Sequence, residues 1–224
     1  MKIYVSFLAL FLLLNLTVMP DYAPFPFYNM VALLIPFDLE TESFLFGRFF
    51  LTLSMYIVLL TYVQKQLEAQ FTMMNYTLTR IGFQKLMIKC SIYTYKKILI
   101  VLFIWIFSML IFSQMYGLEN VEIFISLSLS MIITMFIWIE IFMLLKLTKM
   151  PLRNIYLLSF FLISLLIPFS EQFQFTNLLI IGSLDILNTS VLWIGVKMVF
   201  WFLLLGTKSY LFKNFEVLGD DRID

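Results

Sequence analysis

The side chains able to do chemistry in this chain of 224 residues are few, and their types exclude several mechanisms at once. There is no histidine, so His-dependent zinc sites, imidazole general bases and Ser-His or Cys-His dyads are absent. The single cysteine, Cys90, has no partner for a disulfide within the chain; beside Lys89, it reads as a small apolar helix residue rather than a reactive or palmitoylated thiol. No Gly-rich loop ending in Gly-Lys-Ser or Gly-Lys-Thr occurs, so nucleotide is not bound by that route. What remains is a pair of ionisable residues inside strongly apolar runs, Glu140 and Lys197. Glu140 lies six residues before Lys146, about 9 Å along a helix, and Lys197 eleven before Lys208, about 16 Å. An unpaired charge at such depth in lipid costs roughly 2.5 to 3.5 kcal/mol, so each should find a partner or water. The flexible lysine stem could close the difference in depth and pair with Glu140; in the other reading both face a subunit interface or a hydrated cleft. Glu140 and Asp185 form no recognisable acid–base pair, so no catalytic or metal-ligating residue is assigned and the chain reads as a non-enzyme.

The elements that must hold these residues are set by composition. The chain is 62% hydrophobic and only 13% charged, with 26 Phe and a mean hydropathy of +0.97, whereas a soluble domain is about half apolar and a quarter charged. A water-soluble core is excluded. Crossing a hydrocarbon layer of about 30 Å takes roughly 17 to 25 apolar residues as helix. The expectation is an all-α polytopic membrane protein, one membrane domain over 1–224, with six spans at about 3–19, 44–63, 98–115, 121–145, 155–169 and 189–206. The first run is read as a retained span, because Asn15-Leu16-Thr17-Val18-Met19-Pro20 offers no small-residue cleavage site. Two apolar pieces, 27–37 and 176–187, are too short to cross and are expected to lie in the interface or to re-enter. Trp105, Trp138, Trp193 and Trp201 read mainly as lipid-contacting or interfacial anchors.

Charge then orients the spans. Thirteen of the 15 Lys and Arg fall on one side: Lys2, then Lys65, Arg80, Lys85, Lys89, Lys96 and Lys97, then Lys146, Lys149 and Arg153, then Lys208, Lys213 and Arg222. The opposite loops carry Asp21, Asp38, Glu40, Glu42, Glu119, Glu122, Glu171 and Asp185 without a basic residue. Because Lys and Arg near span ends are retained in the cytoplasm, both termini are expected inside. Arg48 and Lys197 are the basic residues left within spans, and Arg48 could meet the outer acidic loop.

The largest basic feature is the segment 64–97. Leu67, Phe71, Met74, Leu78 and Ile81 recur at intervals of four, three, four and three, one stripe of a helix, while Gln64, Gln66, Glu68, Gln70, Asn75 and Thr79 fill its other sides. Gly82 breaks the run after Arg80, and a second helical stretch carries Lys85 and Lys89 into Lys96-Lys97. One reading is an interfacial helix with its basic residues on anionic lipid, the other a docking helix for a cytoplasmic partner.

Six spans with both ends inside, together with Glu68, the run Leu78-Thr79-Arg80-Ile81-Gly82 and the lysines Lys85, Lys89, Lys96 and Lys97 between spans two and three, resemble the membrane subunit of an ABC-2-type transporter. The chain has Gln70-Phe71-Thr72 where the commonest pattern of that family has a Gly-Thr pair. The small size and the Phe-, Ile- and Lys-rich composition look most like the compact permeases that export, or confer immunity to, antimicrobial peptides in Gram-positive bacteria. The resemblance implies a multi-pass protein of the bacterial plasma membrane that exports an amphipathic or apolar molecule. Its implied partners are a cytoplasmic ABC ATPase dimer, a second permease chain and membrane lipid, with no nucleic acid. ATP and Mg would be bound by the partner ATPase and not by this chain. Leu67, Glu68, Phe71, Leu78, Arg80, Gly82 and Lys85 would be the ATPase-coupling residues, and the piece between spans five and six would be a short re-entrant helix at the outer face. The alternative function is a non-transporting immunity or scaffold protein that binds a peptide in the bilayer.

Overall fold

The computed structural model describes residues 46–74, 83–116, 121–148, 150–169, 174–181 and 190–217. The expected first span, Leu78, Arg80, Gly82, Asp185 and the side chain of Arg48 lie outside the described residues. Within them the chain is all-helical: α1 (Phe46–Met74), α2 (Phe83–Tyr116), α3 (Val121–Leu147), α4 (Leu152–Leu166), a 3-10 helix (Gln174–Leu178) and α5 (Ser190–Val217).

Helix α1, of 29 residues, is about 43 Å long and α2, of 34, about 51 Å, against a hydrocarbon thickness of about 30 Å. Both overrun the spans expected at 44–63 and 98–115 because the charged residues there mark where lipid ends, not where helix ends. Gln64, Lys65, Gln66, Leu67, Glu68, Ala69 and Gln70 are good helix formers, and no Pro or Gly interrupts them. Helix α5 likewise continues to Val217, eleven residues past the expected boundary at 206. Gly206 does not end it.

Helix α3 stops at a defined signal. The amide and hydroxyl of Thr148 both donate to the Leu145 carbonyl, at 3.0 and 2.6 Å, closing the last turn. Pro151, extended at φ −63° and ψ 141°, then starts α4 by accepting from the amides of Asn154 and Ile155. Helix α4 therefore begins five residues after α3 ends.

Helix α3 is the axis of the bundle: 72% of its apolar stretch Ile125–Leu147 is buried, and it packs against all four other helices. Its most extensive partner is α5, which is peripheral, with only 11% of Val191–Phe212 buried. These two helices are long and apolar enough to cross a membrane. Core side chains include Tyr56, Leu59, Leu60, Val63 and Leu67 of α1, Ile98 and Leu102 of α2, Met131, Met135, Trp138 and Phe142 of α3, and Ile155 and Ile163 of α4.

The outside of the bundle is as apolar as its inside. Phe103 and Phe107 on α2, Leu157 and Phe161 on α4, and Val191, Leu192, Val199, Phe202 and Leu203 on α5 are all exposed, whereas Glu140, Lys197 and Lys208 are buried. Isolated exposed Leu residues mean little in a soluble protein, but continuous apolar helix faces around a charged interior are the arrangement that lipid favours and water does not.

Candidate functional site

The polar interior forms two layers along the α3–α5 seam. Residues 197, 201 and 208 are separated by four and seven positions, so at 3.6 residues per turn they share one face of α5. On α3, Ser130, Thr134 and Glu140 turn toward that face, and each is fully buried. Ser130 lies beside Lys197 and Glu140 beside Lys208, so α3 and α5 run parallel. Helix α2 is antiparallel to both, its Ser91 meeting Lys208 and its Tyr95 meeting Trp201.

The first layer is a charged cluster near the basic end. Lys208 Nζ lies 2.5 Å from Glu140 Oε2 and donates to Ser91 Oγ at 2.9 Å. Tyr95 donates its hydroxyl proton to Glu140 Oε1 and accepts from Trp201 Nε1 at 3.3 Å. The rings of Tyr95, Phe136 and Trp201 pack on one another, with Tyr95–Phe136 centroids 4.5 Å apart and Phe136–Trp201 centroids 5.4 Å apart. Both carboxylate oxygens of Glu140 are thus engaged, and α2, α3 and α5 are tied at one point.

The pairing of Glu140 with Lys197, one of the two arrangements open from sequence, is not the one formed. Lys208 takes that place, because α5 continues as helix through a residue that the charge pattern assigned to an inner loop. Lys197, three turns away, donates to Ser130 Oγ at 2.7 Å, Thr134 Oγ1 at 3.3 Å and the Ile180 carbonyl at 3.1 Å.

That carbonyl belongs to the second layer, around residues 174–181. The 3-10 helix and the turn after it lie inside the bundle, with Thr176, Asn177, Ile180 and Ile181 buried. Backbone without a helical ladder is tolerated at such a position only if other groups satisfy it. Here three helices do so: Trp138 Nε1 of α3 donates to the Leu179 carbonyl at 2.8 Å, Lys197 of α5 takes the Ile180 carbonyl, and the Ile181 amide donates to Tyr56 Oη of α1 at 2.8 Å. Trp138 is therefore a buried hydrogen-bond donor and not a lipid-facing anchor.

The expected coupling residues divide by environment. Leu67 is fully buried and Phe71 half-buried against the core, with the Lys146 ammonium 5.8 Å from its ring, so these two residues of the stripe pack inward on the bundle. Glu68 is exposed and accepts from Gln64 at 2.7 Å, and Lys85 is exposed on α2. The overruns of α1 and α2 pack together, Gln70 Nε2 donating to Thr94 Oγ1 at 3.1 Å. Along α2, Lys85, Ile88, Lys89, Ile92, Tyr93 and Lys96 form an outward mixed basic and apolar face.

Sequence reasoning missed Tyr95, Ser91, Lys208, Ser130, Thr134 and Tyr56. A signal existed for Lys208, which lies three turns from Lys197 on the same helix face with no proline between them. None existed for the tyrosines, since nothing in a tyrosine's spacing distinguishes an interior donor from an interfacial one. No family model matches the chain, and no curated protein and no solved structure matches it.

Proposed function

We propose that this chain is the permease subunit of an ATP-driven exporter of the ABC-2 type, a multi-pass protein of the bacterial plasma membrane. In this reading six helices cross the bilayer with both termini in the cytoplasm, and a second copy or a related chain completes the path. A cytoplasmic ABC ATPase dimer binds ATP and Mg and acts on 64–97, and the cargo is amphipathic or apolar, such as an antimicrobial peptide.

The observation that carries the reading is the overrun of α1 and α2: two packed helices extend beyond a bilayer's thickness and hold out Lys65, Glu68, Lys85, Lys89 and Lys96. A lever of this kind is what a soluble motor needs if it is to move helices it cannot reach in lipid. Contacts that differ between the two states of the ATPase would supply the free energy for the motion. The helix directions give further support. The C-terminal ends of α1, α3 and α5 and the N-terminal ends of α2 and α4 gather at one end of the bundle, as alternate crossing requires, and the described basic residues cluster there.

The test is co-purification of the chain in mild detergent from cells expressing its whole gene cluster, with ATPase activity assayed. The expected result is a stoichiometric P-loop ATPase whose hydrolysis is uncoupled from export by Arg80→Glu, the permease remaining folded. Recovery of the chain alone, with coupling indifferent to Arg80, would instead support a non-transporting immunity or scaffold protein that binds its peptide in the bilayer.

A further inference from the structure

Helix α5 is joined to the bundle in an unusual way. Its buried side chains among the described residues are Lys197, Lys208 and Phe212, and most of its remaining surface is open and apolar. In lipid there is no hydrophobic driving force between helices, so close packing and interhelical hydrogen bonds must hold them together. With so little of α5 buried, polar bonds carry much of its association with α2 and α3 beside the packing of Trp201 and Phe212, and at its inner half those bonds converge on one carboxylate. We infer that Glu140, Lys208, Tyr95 and Ser91 form a latch that holds the inner half of α5 against α2 and α3, and that its release lets α5 swing away from the seam.

Each part has a place in that device. Glu140 is the fixed post, fully buried on the central helix. Lys208 is the bolt on the peripheral helix, gripped by Glu140 and Ser91. Tyr95 and Ser91 lie one turn apart on α2, the helix that runs out past Lys96 and Lys89 to the exposed basic face. A displacement of the overrun of α2 is therefore transmitted along a continuous helix to two of the four latch groups. Lys197 sits about 16 Å further along α5 and bonds to the re-entrant backbone, so it serves as the pivot that stays closed. What the latch gates, entry to the seam from the inner face, rests on the permease reading; its existence does not.

The experiment measures the α2–α5 distance in the full chain reconstituted in phosphatidylethanolamine–phosphatidylglycerol bilayers. Spin labels are attached at Ile92→Cys and Tyr210→Cys, both exposed sites, on a Cys90→Ser background. The parent should give one narrow distance. Lys208→Met should raise the population at longer distance by at least about ten-fold, since a buried pair that loses one partner is strongly destabilised. Tyr95→Phe, which keeps the ion pair and removes one donor, should move it in the same direction with smaller amplitude, and decides the matter where Lys208→Met does not accumulate. The exchanged pair Glu140→Lys with Lys208→Glu should restore the narrow distance, and Lys197→Met should leave it narrow. An unchanged distribution in both Lys208→Met and Tyr95→Phe would overturn the latch, as would a Lys197→Met protein whose labels separate as widely as those of Lys208→Met. A failed latch leaves the ATPase co-purification result as it was, so the two failures are distinguishable.

Discussion

Glu140 and Lys208 owe their stability to each other more than to their surroundings. Two charges removed from water lose several kcal/mol each in solvation, and their attraction offsets this only where the remaining lone pairs and protons are also bonded. Tyr95 and Ser91 meet that need, which explains why a hydroxyl flanks each side of the pair. Cys90, next to Ser91, is the opposite case. It is buried on α2 at the basic end, below the expected span, and burial pushes its thiol up to about 11 from an ordinary 9.0. The charged thiolate is the form that burial disfavours, so the folded protein keeps the proton through the whole physiological range. The thiolate fraction at pH 8 is then about a hundred-fold below that of an ordinary cysteine, two pH units corresponding to two decades. Maleimide labelling of the folded protein at pH 7 to 8 should be slower by about that factor than labelling after denaturation. Rapid labelling of native protein at pH 7 would mean that Cys90 is not packed as described.

At the scale of elements, the segment 174–181 shows where the sequence was informative and where it was not. A short non-spanning piece was expected over 176–187, because an apolar run interrupted by Gly182 and Asp185 is too short to cross; its described part is the end of the 3-10 helix and the turn to Ile181. Its position inside the bundle was not, because that depends on donors and acceptors supplied by α1, α3 and α5, which only the fold brings together. Helix ends show the same division. The expected start at 121 and the break near Pro151 match α3 and α4, and the helical stretches expected from Leu67 and from Phe83 form the overruns of α1 and α2, while for α5 only a change of polarity was available and the helix runs past the expected 206. For residues 174–181, removing a donor tests the account directly. Trp138→Phe keeps an aromatic ring but leaves the Leu179 carbonyl without that donor, a loss of about 1 to 3 kcal/mol for a buried group, with a further cost for the space the smaller ring vacates. Hydrogen exchange in 174–181 should then accelerate by about ten-fold or more, with α3 itself unchanged. Tyr56→Phe should act on the same segment through the Ile181 amide. Acceleration spread evenly over α1, α3 and α5 would mean that the segment has no local stability of its own to lose.

For the whole molecule, the argument turns on sidedness. Direction along the bundle is fixed by side-chain contacts: Phe71 of α1 meets Lys146 of α3, Ser91 of α2 meets Lys208 of α5, and Thr61 of α1 meets Tyr156 of α4 at 3.2 Å. These contacts were not available from sequence, yet they bring Lys65, Lys89, Lys96, Lys146 and Arg153 to the same end that charge counting assigns to the cytoplasm. The two arguments are independent, since one uses packing and the other the retention of Lys and Arg near span ends. Together they predict that Lys65→Cys, Lys89→Cys and Arg153→Cys, three exposed positions on three different helices, react with a membrane-impermeant thiol reagent from the same side. On a Cys90→Ser background, all three should label in inverted vesicles and none in intact cells. Labelling of Arg153→Cys from the side opposite to Lys89→Cys would break the alternation of α2 and α3 and with it the six-span reading. Labelling of all three from outside would keep the bundle as described and reverse its orientation, leaving the overruns of α1 and α2 on the face where no ATP-driven motor could reach them.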